Sequence, residues 1–219
     1  MYRRAKSLNV TTAMDPGMPD PHGPAGKVAW KTVLENVLPY VDVFMPSADE
    51  LLYMVAPEKF GQGDNLSADE LSALGDLLIG MGSAVVAIKL GSRGMYIRSA
   101  GAKRLAAMGK AAPSDISQWA DCEYWFPIFN IPVFRGATGA GDASIGGFLT
   151  SLLRGLPLIE AGQMAGAVGA CNVEAPDSLS GVRNWDDTRA RIAAGWETQA
   201  FEVNTPGWTR LPGNIWTKR

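Results

Sequence analysis

Cysteine and histidine are nearly absent from this sequence. The two cysteines, Cys122 and Cys171, are far apart in the chain, and neither has a second Cys or a His at a metal-ligand spacing. A disulfide framework or a zinc site is therefore not expected. The one histidine, His22, lies in a stretch rich in Pro and Gly, which is typical of a surface loop. Chemistry that depends on a histidine has little support.

Long apolar runs and an excess of charge of one sign are also missing. No segment approaches the length of a membrane span, and the basic N-terminus is not followed by the apolar stretch of a signal peptide. A formal net charge of −2 over 219 residues gives no electrostatic footprint for nucleic acid or an acidic membrane. We therefore expect a cytoplasmic protein, one domain over residues 1–219, with small-molecule partners and neither nucleic acid nor membrane.

Apolar periodicity predicts the order of the elements. Short β-favouring runs bounded by Pro and Gly are typical of strands, and apolar residues three and four apart are typical of helices. Ser47 and Ser67 are each followed three residues later by Glu, the capping-box pattern that begins a helix. Residues 99–130 are the least regular and are interpreted as a long surface connection. The predicted strands are 10–14, 41–45, 84–90, 95–98 and 131–134, and the predicted helices are 27–38, one from 47, 67–79, 141–153, 158–172 and 185–194.

This alternation of strands and helices predicts the fold class. Alternating elements favour an α/β architecture with a mostly parallel sheet flanked by helices. The aromatic residues of the irregular stretch are expected to anchor that stretch in the core, with a pocket border as the alternative. These residues are Trp119, Tyr124, Trp125 and Phe126.

The strongest chemical signal is a run of small residues, Gly-Ala-Thr-Gly-Ala-Gly-Asp at 136–142, that leads directly into an apolar helix. At a helix N-terminus the free N–H groups and the dipole both favour an anion, so Gly139, Ala140 and Gly141 could hold phosphate oxygens. Asp142 could then accept the proton of an attacking hydroxyl. The alternative is structural: Asp142 caps the helix and the glycines form a tight turn.

The same run resembles a known family. Gly-Ala-Gly-Asp followed by Ala-Ser-Ile-Gly-Gly-Phe-Leu is similar to the C-terminal signature of the ribokinase-like (PfkB) carbohydrate kinases. The resemblance implies a ribokinase-like fold, ATP and Mg²⁺ as cofactors, and phosphoryl transfer to a hydroxyl of a sugar or sugar-like molecule. It also implies that Asp142 is the catalytic base, that the amides of Gly139 to Gly141 form the anion hole, and that Thr138 lies beside the nucleotide.

Three further segments follow in the family's order. The segment that ends in Glu50 resembles the Asn-x-x-Glu motif, which implies that Glu50 organises Mg²⁺, although Ser47 stands where the motif has Asn. A plain capping box is an equal alternative. The segment 89–94 resembles the Gly-x-x-Gly loop along the nucleotide, with an ordinary hairpin turn as the alternative. The small-residue helix around Gly166 matches the support of the adenine. The implied nucleotide contacts are Ser47, Lys89, Gly91, Ser92, Gly94, Thr138 and Gly166.

Two departures from the family qualify these expectations. Gly136 and Ala137 stand where the signature usually opens with Asp-Thr, so activation by potassium is not predicted. The family's N-terminal region, with its first strands, its β lid and most sugar contacts, has no counterpart here. The sequence therefore predicts an N-terminally truncated form whose sheet edge near residues 10–14 is unpaired, which favours self-association. The acceptor is left open.

Other functions have weaker support. A non-catalytic nucleotide-binding or interaction module, left by loss of the lid region, is the main alternative. The spacing Gly139-x-Gly141-x-x-Ser144 is a poor dinucleotide fingerprint, because the only acid at the expected distance, Glu160, falls in helical sequence. The Walker pattern of P-loop enzymes is absent.

Overall fold

The computed structural model of the protein describes residues 1–218, and its elements follow the predicted alternation. Both capping boxes are present: the Ser47 and Ser67 hydroxyls each accept from the backbone N–H three residues on. The helices are α1 (Tyr2–Ser7), α2 (Trp30–Val37), α3 (Ala48–Val55), α4 (Ala68–Gly80), α5 (Ala102–Ala106), α6 (Ala140–Leu153), α7 (Leu158–Asn172) and α8 (Trp185–Ala193). The strands are β1 (Ala13–Met14), β2 (Val43–Phe44), β3 (Val85–Lys89), β4 (Met95–Ser99), β5 (Glu123–Phe126), β6 (Trp208–Arg210) and β7 (Trp216–Lys218).

All seven strands form one sheet, in the order β1-β2-β3-β4-β5-β7-β6. Only β1, β2 and β3 are parallel, and every later pairing is antiparallel. The α/β class with flanking helices is confirmed, but the sheet is mixed where a mostly parallel one was expected. The change follows from the connections, because a tight turn such as the one between β3 and β4 can join only antiparallel strands.

Helices cover both faces of the sheet, and alternate strand residues enter two separate cores. On β3, Val86 and Ile88 pack in the core beneath α2, α3 and α4, while Val85 and Ala87 pack in the core beneath α5, α6 and α7. This alternation is what a strand buried on both faces requires. Because β1, β2 and β3 are parallel, their C-terminal ends lie together at one end of the sheet. Several of the residues predicted to contact Mg²⁺ and the nucleotide lie at or just after these strand ends.

The buried carboxylate of Asp42 links α1 and α5 to the sheet through ion pairs. Asp42, just before β2, has no exposed surface. Its carboxylate accepts from Lys6 Nζ at 2.7 Å and from Arg104 Nη1 at 2.8 Å, and also from the Thr12 N–H at 2.9 Å. Lys6 and Arg104, from two different helices, therefore compensate the charge of one buried carboxylate. Loss of that carboxylate would leave both cations without their ion-pair partner.

Some elements differ from the sequence predictions. β5 lies in the stretch interpreted as irregular, and the β6–β7 hairpin lies in the C-terminal third, where only helices were predicted. The predicted strand at 131–134 is irregular, and Phe134 is 65% exposed. Trp119, Trp125 and Phe126 are buried and Tyr124 is half-buried, in agreement with a core role, while Phe126 also lines a cavity. Within residues 1–218, none of the helices combines the length and the apolar character needed to cross a bilayer.

Candidate active site

The loop before α6 is held in a conformation that only glycine adopts freely. Gly139, the residue that precedes α6, has a φ of 78°. A Cβ at this position would lie 2.6 Å from the Cβ of Ser178 and 2.7 Å from its carbonyl oxygen. The glycine is therefore required twice, by the backbone conformation and by the close approach of the loop that follows α7.

We expect Gly139→Ala to lower the free energy of unfolding by about 1–3 kcal/mol through backbone strain, and to weaken ATP binding by displacing the loop. Urea unfolding and calorimetric titration with ATP measure the two effects. Gly146→Ala is the matched control, because Gly146 lies within α6 and no atom is within 4 Å of an added Cβ. The control should gain about 0.5–1 kcal/mol. If the two variants had the same free energy of unfolding, an alanine at position 139 would not be strained.

The N-terminus of α6 offers free backbone donors. Among the described residues, no acceptor satisfies the N–H of Gly139, Gly141 or Asp142, whereas the Ala140 N–H donates to the Ala137 carbonyl at 3.1 Å. Of the three amides predicted for the anion hole, that of Ala140 is thus engaged in a turn, and the amide of Asp142 is free in addition. Free N–H groups together with the helix dipole suit a phosphate oxygen.

Asp142 lies in the first turn of α6 with an exposed side chain. Its carboxylate takes part in no hydrogen bond or ion pair with the described residues, and the N-cap position belongs to Gly139, which makes no side-chain cap. The structural alternative, in which Asp142 caps the helix, is therefore not what the side chain does. A carboxylate without protein partners at the end of a helix is free to accept a proton from a bound hydroxyl.

Ser47 and Glu50 begin α3 as a capping box. The Glu50 Oε2 accepts from the Ser47 N–H at 2.7 Å, and the Ser47 hydroxyl accepts from the Glu50 N–H at 3.3 Å. The capping alternative is thus real, but it occupies only one carboxylate oxygen of Glu50. Mg²⁺ is usually held by one or two carboxylates together with substrate phosphates, so the second oxygen suits a metal contact. Across residues 1–218, no three acidic, His or Cys side chains form a ready-made cage.

A further acidic residue, which the sequence analysis missed, lies at the same C-terminal end of the parallel strands. Asp15 directly follows β1, and its Oδ1 accepts from Lys89 Nζ, at the end of β3, at 2.6 Å. Burial raises the pKa of Asp15, as do the charges of Glu50 and Asp142, while Lys89 acts in the opposite direction. The three carboxylates therefore share one electrostatic neighbourhood. The signal was an acid directly after the strand predicted at 10–14.

A mainly apolar cavity of about 450 Å³ lies beside Lys89 and the start of α6. Phe129, Ile131, Phe134 and Val173 contribute large apolar side chains to its wall. It is lined by most of the residues predicted to contact a nucleotide, although Ser47, Glu50, Thr138, Gly139 and Asp142 do not line it. The predicted residues in its lining are Lys89, Gly91, Ser92, Gly94, Ala140, Gly141 and Gly166.

The loop between β3 and β4 serves two purposes. It is a tight hairpin turn, and a Cβ on Gly94 would lie 1.9 Å from the Phe126 carbonyl oxygen, so this glycine is structurally required. The same loop lines the cavity. Gly166, on α7, has room for a side chain, since a Cβ there would make an ordinary contact with the Phe129 ring at 3.6 Å. The turn and the cavity wall are therefore compatible interpretations of the loop.

Thr138 is held by a second residue that sequence reasoning missed. Its carbonyl accepts from Asn172 Nδ2 at 2.9 Å. Asn172 is the last residue of α7 and is fully buried, and its Oδ1 has no partner within the described part of the chain. An unpaired buried carbonyl costs about 1–3 kcal/mol. The amide therefore fixes the loop before α6 at some expense of stability.

Comparison with known proteins agrees with this geometry. A family model described as pfkB family carbohydrate kinase matches residues 2–184. Aminoimidazole riboside kinase from Salmonella enterica superposes with a TM-score of 0.60 at 20% identity, covering 86% of this chain and 54% of that one. Ribokinase from Thermotoga maritima gives 0.57 at 21% identity, covering 88% and 52%. No curated protein matches significantly.

At these identities the structural likeness establishes the fold, and the ribokinase-like fold predicted from the sequence is confirmed. The chain spans about half the length of these relatives. The match to the family model includes β1 to β5 and the loop before α6, and it ends just before α8. The chain belongs to the pfkB family of carbohydrate kinases.

Proposed function

We propose that this chain binds ATP with Mg²⁺ and transfers the terminal phosphoryl group to a hydroxyl of a sugar or sugar-like small molecule. The observation that carries the proposal is the cavity, which joins the β3–β4 loop, the start of α6 and Gly166 in one lining. Its apolar wall suits a base, and its lining also includes Lys89 and Gly141, whose backbone N–H is free. A nucleotide has the same polarity, apolar at the base and anionic at the phosphates.

In this proposal Asp142 is the catalytic base, because its carboxylate is free of protein partners and lies in the first turn of α6. The free amides of Gly141 and Asp142 stabilise the charge that develops on the transferred phosphoryl group. Glu50 would hold Mg²⁺ through its second carboxylate oxygen. When bound, the metal neutralises phosphate charge.

The relatives support the choice of donor and acceptor. The Salmonella kinase is described in complex with aminoimidazole riboside and an ATP analog, and an Arabidopsis ribokinase, with a TM-score of 0.61 and 16% identity, in complex with ribose and ATP. We therefore include free sugars and ribosides among the acceptors to be tested. The cytoplasmic location remains a prediction. So does self-association, which β1 at the edge of the sheet would favour.

The test is an assay of ADP release over a panel of sugars and ribosides, with ATP and Mg²⁺, compared with the same mixture lacking acceptor. We expect at least one acceptor to raise ADP release and to yield a phosphorylated product.

One observation favours a second candidate, a nucleotide-binding module without catalysis: Asp142 is exposed, while phosphoryl transfer benefits from exclusion of water. ATP binding by calorimetry with no product from any acceptor would favour this module.

A further inference from the structure

The ion pair between Lys89 and Asp15 crosses the end of the parallel sheet. Lys89 is the last residue of β3 and Asp15 follows β1, with β2 between them. Strands one place removed are about 10 Å apart, a gap that the long stem of a lysine can bridge. The side chains are 15% and 31% exposed, and their charged atoms are 2.6 Å apart. The amine is therefore held in a defined place by a partner 74 residues away in sequence.

That place is the N-terminus of α6. A Cβ on Gly141 would lie 3.8 Å from Lys89 Nζ and 3.6 Å from its Cδ, so the lysine stem passes beside the free Gly141 amide. An ammonium group has three N–H donors. Asp15 takes one, and no other described residue accepts a hydrogen bond from Lys89 Nζ. Two donors thus remain next to the backbone amides that suit a phosphate.

We propose that Asp15 is a positioning residue, which holds the Lys89 ammonium at the start of α6 so that its remaining donors bind the nucleotide phosphates. The inference rests on the proposed function and adds a residue to it. A competing role predicts the opposite effect. If Asp15 competed with the phosphates for Lys89, removal of the Asp15 charge would strengthen nucleotide binding. The number of free donors on the ammonium favours positioning.

A double-mutant cycle tests the inference. The dissociation constant of ATP is measured by calorimetry for wild type, Asp15→Asn, Lys89→Met and the double variant, without acceptor. We expect Lys89→Met to weaken binding about 10- to 100-fold, as for loss of a charge-assisted hydrogen bond. Asp15→Asn should weaken it about threefold to tenfold in wild type and cause no loss beside Lys89→Met, where it removes only an unpaired negative charge. Asp15→Glu, which keeps the charge, should recover part of the loss.

Asp20→Asn is the matched control, because Asp20 is an exposed carboxylate of the same loop that accepts only from the His22 N–H. It should leave ATP affinity unchanged. Equal losses from Asp15→Asn in both backgrounds, or unchanged or tighter binding of ATP by Asp15→Asn with Lys89 present, would each overturn the positioning role while leaving the proposed function intact. If wild type does not bind ATP at all, the proposed function fails, and this inference fails with it.

Discussion

Asp142→Asn is expected to lower kcat for phosphoryl transfer about 100- to 10,000-fold, the usual contribution of a general base. The amide keeps the shape of the side chain but cannot take the proton of the acceptor hydroxyl. No residue within 1–218 forms a hydrogen bond or ion pair with the carboxylate, so the fold should be unaffected. ATP affinity should stay the same or increase, since a negative charge near the phosphates is removed. Steady-state kinetics with a competent acceptor, together with calorimetry, separate the two effects.

Asp69→Asn provides the control for this variant. Asp69 is likewise an exposed carboxylate in the first turn of a helix, α4, remote in sequence from the loop before α6. It should keep wild-type kcat. If Asp142→Asn turned over acceptor as fast as Asp69→Asn, Asp142 would not be the base, and the case for a binding module would gain weight.

The second large effect concerns stability. We expect Asp42→Asn to lower the free energy of unfolding by about 3–5 kcal/mol, because Lys6 and Arg104 would then be left without the carboxylate that compensates them. The measurement is a shift of the urea midpoint at an unchanged slope. Removing one partner of a buried pair is the costly change, whereas loss of an exposed pair costs little.

Asp76→Asn is the comparison for that experiment. Asp76 pairs with Arg98 at 3.0 Å, but its side chain is 63% exposed. Its loss should cost less than about 1 kcal/mol. If Asp42→Asn and Asp76→Asn lowered the free energy of unfolding equally, the ion pairs of Asp42 would not stabilise the attachment of α1 and α5 to the sheet.

Local sequence signals predicted the elements that depend on near neighbours. The capping boxes at Ser47 and Ser67 form as expected, because a hydroxyl and a glutamate three residues apart satisfy each other's backbone donors. The turn at Gly91 to Gly94 and the glycine before α6 also follow from local conformational demands. The residues of the candidate site that lie in such segments were therefore identifiable before the structure.

Elements that depend on distant partners were not predictable in this way. β5 begins with Glu123, a buried carboxylate that accepts from the Ser72 and Tyr96 hydroxyls of other elements, so its burial depends on partners that are distant in sequence. The segment 131–134 has strand-like residues, but it forms part of the cavity wall instead. Asp15 and Asn172 have roles only through Lys89 and Thr138, which are far from them along the chain.

The most direct test of the central claim follows the terminal phosphate of ATP. Purified wild-type chain is incubated with ATP labelled at that phosphate, Mg²⁺ and the acceptor panel, and the label is traced. If the chain is a kinase with Asp142 as its base, label appears on an acceptor hydroxyl with wild type and Asp69→Asn and is nearly lost with Asp142→Asn. Label that stays on bound ATP with every acceptor, or equal transfer by wild type and Asp142→Asn, would contradict this proposal.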